Sequence, residues 1–349
     1  MPSLTANFER CRAEAFYNGV GHSESLSLVR FIEENLPTWI AEDRPRYYKK
    51  NSKPSVVCAI EYDNLLQQVF VHLKKKKVLG DGLFAIVTLS LIAQTGQKLA
   101  LKTLRKVPLV TLDPQDLAHM HKEGERHLLL IDCPNIVKVH RVIGRRLLLE
   151  HIEHGTLDAY LQANSYLSPQ LKTKIARGCI AGMLQMHQKG LVHRDIKSDN
   201  VLIASGFVVK LGDLGTAATI GEWSHARSGC PCARSPLKWQ HWINNELHQN
   251  QPEDDLWAMG MLLYELEYGH EHYPFFADAL ENLYLGCVAR DQHQKSTQEV
   301  QALYDTFIAQ VQAFHAAFNP RPNSLNARIM GLLSLDPERR LQALQEWRS

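Results

Sequence analysis

The stretch LVHRDIKSDNVLI, residues 191–203, decides the reading of this chain. Its ends, Leu191-Val192 and Val201-Leu202-Ile203, are apolar and β-prone. Between them His193, Arg194, Asp195, Lys197, Asp199 and Asn200 crowd into one short loop. Charged groups are rarely buried unless they are paired, so a folding argument gives no reason for the cluster. At about 5% background for each residue type, the five positions His193, Arg194, Asp195, Lys197 and Asn200 arise by chance about once in ten thousand chains of this length. The cluster therefore asks for matching chemistry elsewhere in the chain.

The bulk properties narrow the field. At 349 residues the chain exceeds the roughly 250–300 at which one core stops growing, so two lobes are expected. The formal net charge of +2 is too small to argue for nucleic acid as a partner. Seven cysteines without framework spacing argue against a disulfide scaffold and point to a reducing cytosol. Cys230 and Cys232 with nearby His225 fall short of a tetrahedral metal set. MPSLTANFERCRAEAF lacks the apolar core of a signal peptide, and no run of about 18 apolar residues predicts a membrane span.

Residues 1–41 read as helical, with Leu26, Val29, Ile32 and Leu36 at three- or four-residue spacing before Pro37. AEDRPRYYKKNSKPS, 41–55, reads as a linker or exposed loop. From Val56 to Glu150 short β-rich runs dominate: VVCAI, VFVHL, FAIVTLSLI, KLALKTL and LLLEHI. One helix interrupts them near Asp116–Leu130. After Gly155 helical periodicity takes over, at Leu171–Gln188, Leu256–Tyr268, Val300–Phe318 and Ser324–Leu335. A small β-rich half followed by a larger helical half predicts an α+β, two-lobed fold.

The loop HRDIKSDN resembles the catalytic loop of protein kinases. The order of motifs from Gly80 to Arg340 is similar to that of eukaryotic-type Ser/Thr protein kinases over residues 68–349. The resemblance implies a protein kinase-like fold with an N-lobe at 68–150 and a C-lobe at 151–349, preceded by an extension over 1–67. It also implies ATP and Mg²⁺ as cofactors and a protein as substrate. Asp195 would orient the acceptor hydroxyl and take its proton, Lys197 would neutralise the γ-phosphate, and Asn200 would hold Mg²⁺.

Further segments match in order. VLGDGLFAIV, 78–87, is similar to the Gly-rich phosphate loop, with Leu79, Gly80, Asp81 and Gly82 along it. Phe84 stands at its aromatic tip, Val87 at the adenine-packing position, and Ala85 in place of the third Gly. In LALK, 99–102, the resemblance gives Ala100 an adenine contact and Lys102 the α- and β-phosphates. The helix HKEGERHLLLIDCPNIVKV must supply a carboxylate to Lys102. Glu123 and Glu125 both qualify; Leu128 and Leu129 at the expected apolar offsets favour Glu125. In the hinge LLLEHIEHGTL, Leu149 would guard the adenine pocket while backbone groups of Glu150 and Ile152 bond adenine. Leu202 completes the nucleotide-binding set. VVKLGDLGTA, 208–217, resembles the strand and turn of D-F-G, with Leu214 for Phe. Asp213, 18 residues after Asp195, would chelate Mg²⁺.

Asp255-Leu-Trp-Ala-Met-Gly260 resembles the helix that anchors the catalytic loop, and DPERRL, 336–341, the closing segment with its Arg. Two departures stand out. Ser235-Pro236-Leu237 replaces A-P-E, so Arg340 lacks the family's Glu. Cys230 replaces the Thr that bonds the catalytic Asp and Lys. Arg194 would receive an activation-segment phosphate from Thr219, Ser224 or Ser228. Lys74–Lys77 reads as a solvated strand face. Segments 1–67 and 270–323 are candidate docking arms for a partner. Three functions are carried forward: an active Ser/Thr protein kinase, a pseudokinase scaffold, and a small-molecule kinase. Two settings are carried with them, the cytoplasm and, for a secreted microbial effector, the host cytosol.

Overall fold

The structure, a computed structural model, describes residues 46–48, 57–63, 68–73, 78–82, 85–92, 95, 97–105, 114–164, 166–269, 276–321 and 324–347. The predicted helix over 1–41, Phe84, Lys74–Lys77 and the segment 270–275 lie outside these residues. The chain divides into two compact units. One comprises 1–124 with 138–151; the other comprises 125–137 with 152–349.

The first unit is built on an eight-stranded sheet whose pairs are all antiparallel. Its strands are β1 (Arg46–Tyr48), β2 (Val57–Asp63), β3 (Gln68–Leu73), β4 (Val78–Asp81), β5 (Ala85–Ile92), β6 (Lys98–Leu104), β7 (Val139–Ile143) and β8 (Arg146–Glu150). Their order is β1-β2-β3-β5-β6-β8-β7, with β4 paired to β5. The stretch read as a linker contributes β1, which pairs with β2, and β2 pairs with β3 across residue 67. Sheet pairing therefore joins strands from both sides of that expected boundary.

Alternation along β5, β6 and β8 separates two faces. Phe70, Ile92, Leu99, Leu101 and Leu148 pack into a dry cluster on one of them. The other face carries the residues opposite Val87: Gly80 on β4 and Lys102 on β6, with Ala100 opposite Leu149. The helix α1 (Pro114–Leu129) follows β6. Gly124 lies so close to Val142 that a Cβ there would sit 2.5 Å from its Cγ2.

The second unit is mainly helical: α2 (Leu157–Ala163), α3 (Pro169–Gln188), α4 (Pro236–Ile243), α5 (Pro252–Tyr268), α6 (Ala277–Asp291), α7 (Thr297–Ala317), α8 (Leu325–Leu332) and α9 (Pro337–Gln345). A β-rich unit and a helical unit make the α+β, two-lobed division expected from the sequence.

Ser168 caps α3 by accepting the Leu171 N–H, with Pro169 at the first helical position. Ile175, Cys179, Met183 and Met186 bury its apolar stripe. Its C-terminus closes when the Gly190 N–H donates to His187 O, which aims the chain into β9 (Leu191–Val192) and the loop 193–200. α5 is apolar nearly all round, as a helix buried in the core must be, and its acidic first turn suits the positive end of the helix dipole. Trp257 on α5 packs against Phe276 and Phe307. The helical period over 300–318 forms α7 with a Ser296–Glu299 capping box. It buries Val300, Phe307, Val311 and Phe314 in the same core.

Candidate active site

In the second unit the loop 193–200 runs between β9 and β10 (Val201–Ala204), and α5 holds it at two places. Near its start, the buried carboxylate of Asp255 accepts the His193 N–H at 2.7 Å and the Arg194 N–H at 2.8 Å. His187 Nε2 reaches the same carboxylate at 2.9 Å. Near its end, Ser198 Oγ donates to Glu265 Oε1 at 2.9 Å. Burial pushes the Asp255 carboxyl up, but the His187 hydrogen bond and the histidine charges outweigh it and hold the group below its ordinary range.

Held this way, the loop converges on Asp195. Its Oδ2 accepts the Asn200 amide at 2.8 Å and faces Lys197 Nζ at 3.6 Å. Its Oδ1 accepts the Cys230 backbone N–H at 2.9 Å. The loop is also tied to Asp213 through Gly212, which follows β11 (Val208–Leu211). The Gly212 N–H donates to Asn200 O at 2.9 Å, and Gly212 O accepts from His193 Nε2 at 3.0 Å. Asp213 itself stands at φ 56° and Arg194 at φ 69°. Both are left-handed positions that non-glycine residues occupy only when the surroundings dictate it. Leu214 is fully buried, and Arg126 Nη1 donates to its carbonyl at 3.0 Å, so the residue replacing Phe acts as an apolar plug. Leu202, on β10, lies half-buried against Gly212, where a Cβ would approach its Cδ1 to 2.8 Å.

Asn200 gives its amide nitrogen to Asp195, which leaves its carbonyl oxygen as the donor for an ion. The Asp213 carboxylate offers a second hard oxygen donor. Among the described residues no group of three or more His, Cys, Asp or Glu side chains forms a metal site. Two oxygen donors suit Mg²⁺, which takes most of its remaining ligands from phosphate and water.

In the first unit Lys102 Nζ meets Glu123 Oε1 at 2.7 Å. This corrects the preference for Glu125, which is exposed. The helix turns Met120, Glu123, Gly124 and His127 inward, while Leu128 and Leu129 are 55% and 49% exposed. Those two leucines are apolar but not buried, so their offset carried no register information. Arg105 pairs with Asp81 and donates to Gly82 O, and Leu79 is exposed beside them. Leu149 is buried opposite Ala100. The Glu150 N–H is engaged with Lys138 O at 2.9 Å; Ile152 is buried and belongs to the second unit.

The family model for the protein kinase domain matches residues 73–348. The chain belongs to the protein kinase family. It is similar to the human NUAK family SNF1-like kinase 1, at 28% identity over 56% of this chain and 29% of that relative. It is 29% identical to a probable cell cycle serine/threonine-protein kinase CDC5 homolog of Encephalitozoon cuniculi, over 60% of this chain and 44% of the relative. For the serine/threonine-protein kinase cds1 of Schizosaccharomyces pombe the figures are 26%, 58% and 45%. The chain thus spans less than half the length of these curated relatives.

The kinase departures have local answers. Arg340 is buried and donates to Ser334 O at 2.6 Å in place of a Glu, while burial lowers its pKa against the opposing field of Asp254, Glu253 and Asp336. Leu237, where the family has that Glu, is 47% exposed. Next to it Lys238 is buried, and desolvation pulls its pKa down to about 8 against the attraction of Asp254. Arg194 Nη1 reaches Ser224 Oγ and Asn250 Oδ1, both at 3.2 Å, so one of the three expected phosphate acceptors already touches it. Ser198, Glu265, His187 and Asn250 carried no sequence signal, because each acts through a partner more than 25 residues away.

Lys238 yields a pH test. Its folded pKa, about 8, lies below its ordinary 10.5, so the unfolded chain binds the extra proton between those values. The ionised side chain costs stability below pH 8, and the cost disappears as pH rises toward 10.5. Lys238→Met should therefore be more stable than the parent at pH 7, by about 3 kcal/mol at most. Urea midpoints measured from pH 7 to 10.5 should show that advantage shrinking. A constant difference would rule out a buried ammonium there.

Proposed function

We propose that this chain transfers the γ-phosphoryl group of Mg·ATP to serine and threonine hydroxyls of protein substrates. The observation that carries the reading is the Asp195 carboxylate, fixed on both oxygens within one unit and flanked by Lys197 and Asn200. A fixed acceptor is what a hydroxyl nucleophile needs, since phosphoryl transfer is limited by positioning and charge compensation.

Asp195 orients the incoming hydroxyl and accepts its proton. Lys197 places positive charge where the transferred group becomes most negative. Asn200 and Asp213 would hold Mg²⁺, which when bound neutralises charge on the phosphates. Lys102, kept in place by Glu123, supplies a cation for the α- and β-phosphates, and Gly80, Val87 and Ala100 share its face of the sheet. The relatives named as serine/threonine kinases support the acceptor class, as does Lys197 two residues after Asp195. The scaffold reading rested on Leu237, Cys230 and Ala85. Arg340 Nη1 donates to the Ser334 and Leu335 carbonyls, while its buried Nε finds no hydrogen-bond partner among the described residues, and Asp195 accepts a backbone N–H, so each departure keeps a main-chain contact. We place the activity in a reducing cytosol, in keeping with the free thiols of Cys133, Cys179, Cys230 and Cys287.

Purified protein incubated with labelled ATP, Mg²⁺ and a generic basic protein should incorporate phosphate on Ser and Thr. Asp195→Ala should lose about 10²–10⁴-fold in kcat. Equal incorporation by the two proteins would overturn the assignment. The carboxylate choice is tested beside it. Glu123→Gln should lower kcat/KM for ATP at least about tenfold, because it removes the charge of the carboxylate that the half-buried Lys102 ammonium meets at 2.7 Å. Glu125→Gln should stay within about twofold, as exposed groups do. The reverse order would restore the sequence preference.

A further inference from the structure

The structure assigns a positioning role to the main chain at Gly229-Cys230: the Cys230 N–H fixes the Asp195 carboxylate, and Gly229 is the residue that lets it reach. The inference rests on the reading of Asp195 as the group that accepts the hydroxyl proton.

An ionised carboxylate only accepts hydrogen bonds, so its orientation is set by the donors around it. On Oδ2 those are the Asn200 amide and, at longer range, Lys197. On Oδ1 the described donor is the Cys230 N–H at 2.9 Å. A backbone N–H on a carboxylate is a charge-assisted bond, stronger than a neutral one. The thiol is a weak donor by comparison.

Close approach makes this contact possible. Gly229 stands at φ +86°, and a Cβ there would lie 2.1 Å from the carbonyl oxygen of Arg194. That oxygen cannot yield easily, because the Arg194 N–H and the His193 N–H before it are both held by Asp255. The same turn is gripped from its other side. Arg234 Nη2 donates to Arg227 O at 2.8 Å and to Gly229 O at 3.3 Å. Its guanidinium lies over the rings of Trp239 and Trp242, at 4.4 and 4.6 Å. Residues 227–230 thus form a turn pressed onto the catalytic loop, with one N–H aimed at Asp195.

Cys230 has φ −64° and ψ 133°, the values proline adopts without strain. Cys230→Pro removes the N–H and also sets its Cδ toward Asp195 Oδ1, while Cys230→Ala removes the thiol and keeps the N–H. The ratio between them reads the fit of the main chain against the carboxylate, and the Cys230 amide signal isolates the donor. We expect kcat of the proline variant to fall at least about tenfold below that of the alanine variant, with the KM for ATP within twofold and the melting temperatures alike. Gly229→Ala should show the same loss in kcat. Equal kcat for the proline and alanine variants would overturn the inference. Should Asp195→Ala keep full kcat in that series, the phosphoryl-transfer reading fails instead. If the proline variant does not fold, the decision passes to the full chain labelled with ¹⁵N-cysteine. Among its seven cysteine amides, the Cys230 proton should move most on Asp195→Ala. An unmoved Cys230 signal would overturn the inference, whatever the activity.

Discussion

The second unit's chemistry depends on one buried carboxylate. Asp255 sits in the first turn of α5 and accepts two successive backbone N–H groups from the loop that follows β9. Burying a carboxylate is costly unless charge partners and hydrogen bonds compensate for lost water. Here His187, two main-chain donors and the positive end of the helix supply that compensation. Just after the second of these donors, the left-handed conformation of Arg194 turns the chain. Asp195 follows immediately, so its direction is inherited from Asp255.

A second tie extends the order to the other acidic residue. Gly212 is bonded through both its N–H and its carbonyl to the loop 193–200. A side chain there would run into Leu202 and Val137, so the close packing needs glycine. Asp213 is the next residue, and its left-handed backbone is fixed by the same contacts that fix Asn200. The two residues proposed to hold Mg²⁺ are thus set by one hydrogen-bonded frame, itself anchored on α5.

Much of this was legible in the sequence because it is written in residue types at fixed spacing. The apolar strands, the helix periods and the order of Lys102, Asp195, Asn200 and Asp213 survive any uncertainty in local geometry. What failed was register. Glu123 and Glu125 both lie on α1, and the choice between them depends on which helical face is inward. Met120, His127 and Leu130 are the buried positions, and they place Glu123 on the inner stripe. A count anchored on Leu128 and Leu129 follows exposed leucines instead. The strand Arg46–Tyr48 was hidden for a related reason. RYY is short and flanked by charges and prolines, and only its pairing with β2 makes it a strand.

Three of the contacts that could not be read share one property: one partner in each is the main chain. Arg340 finds the carbonyl of Ser334, Arg126 finds that of Leu214, and Asp195 finds the N–H of Cys230. Every residue except proline carries both groups, so residue type says nothing about whether they are used. The sequence reading treated Leu237 and Cys230 as losses because it counted side chains. A missing Glu and a missing Thr hydroxyl are losses only if no backbone group occupies the same place. Where the chain passes within hydrogen-bonding distance, as glycine at 229 permits, the identity of the neighbouring side chain ceases to decide whether the carboxylate is held.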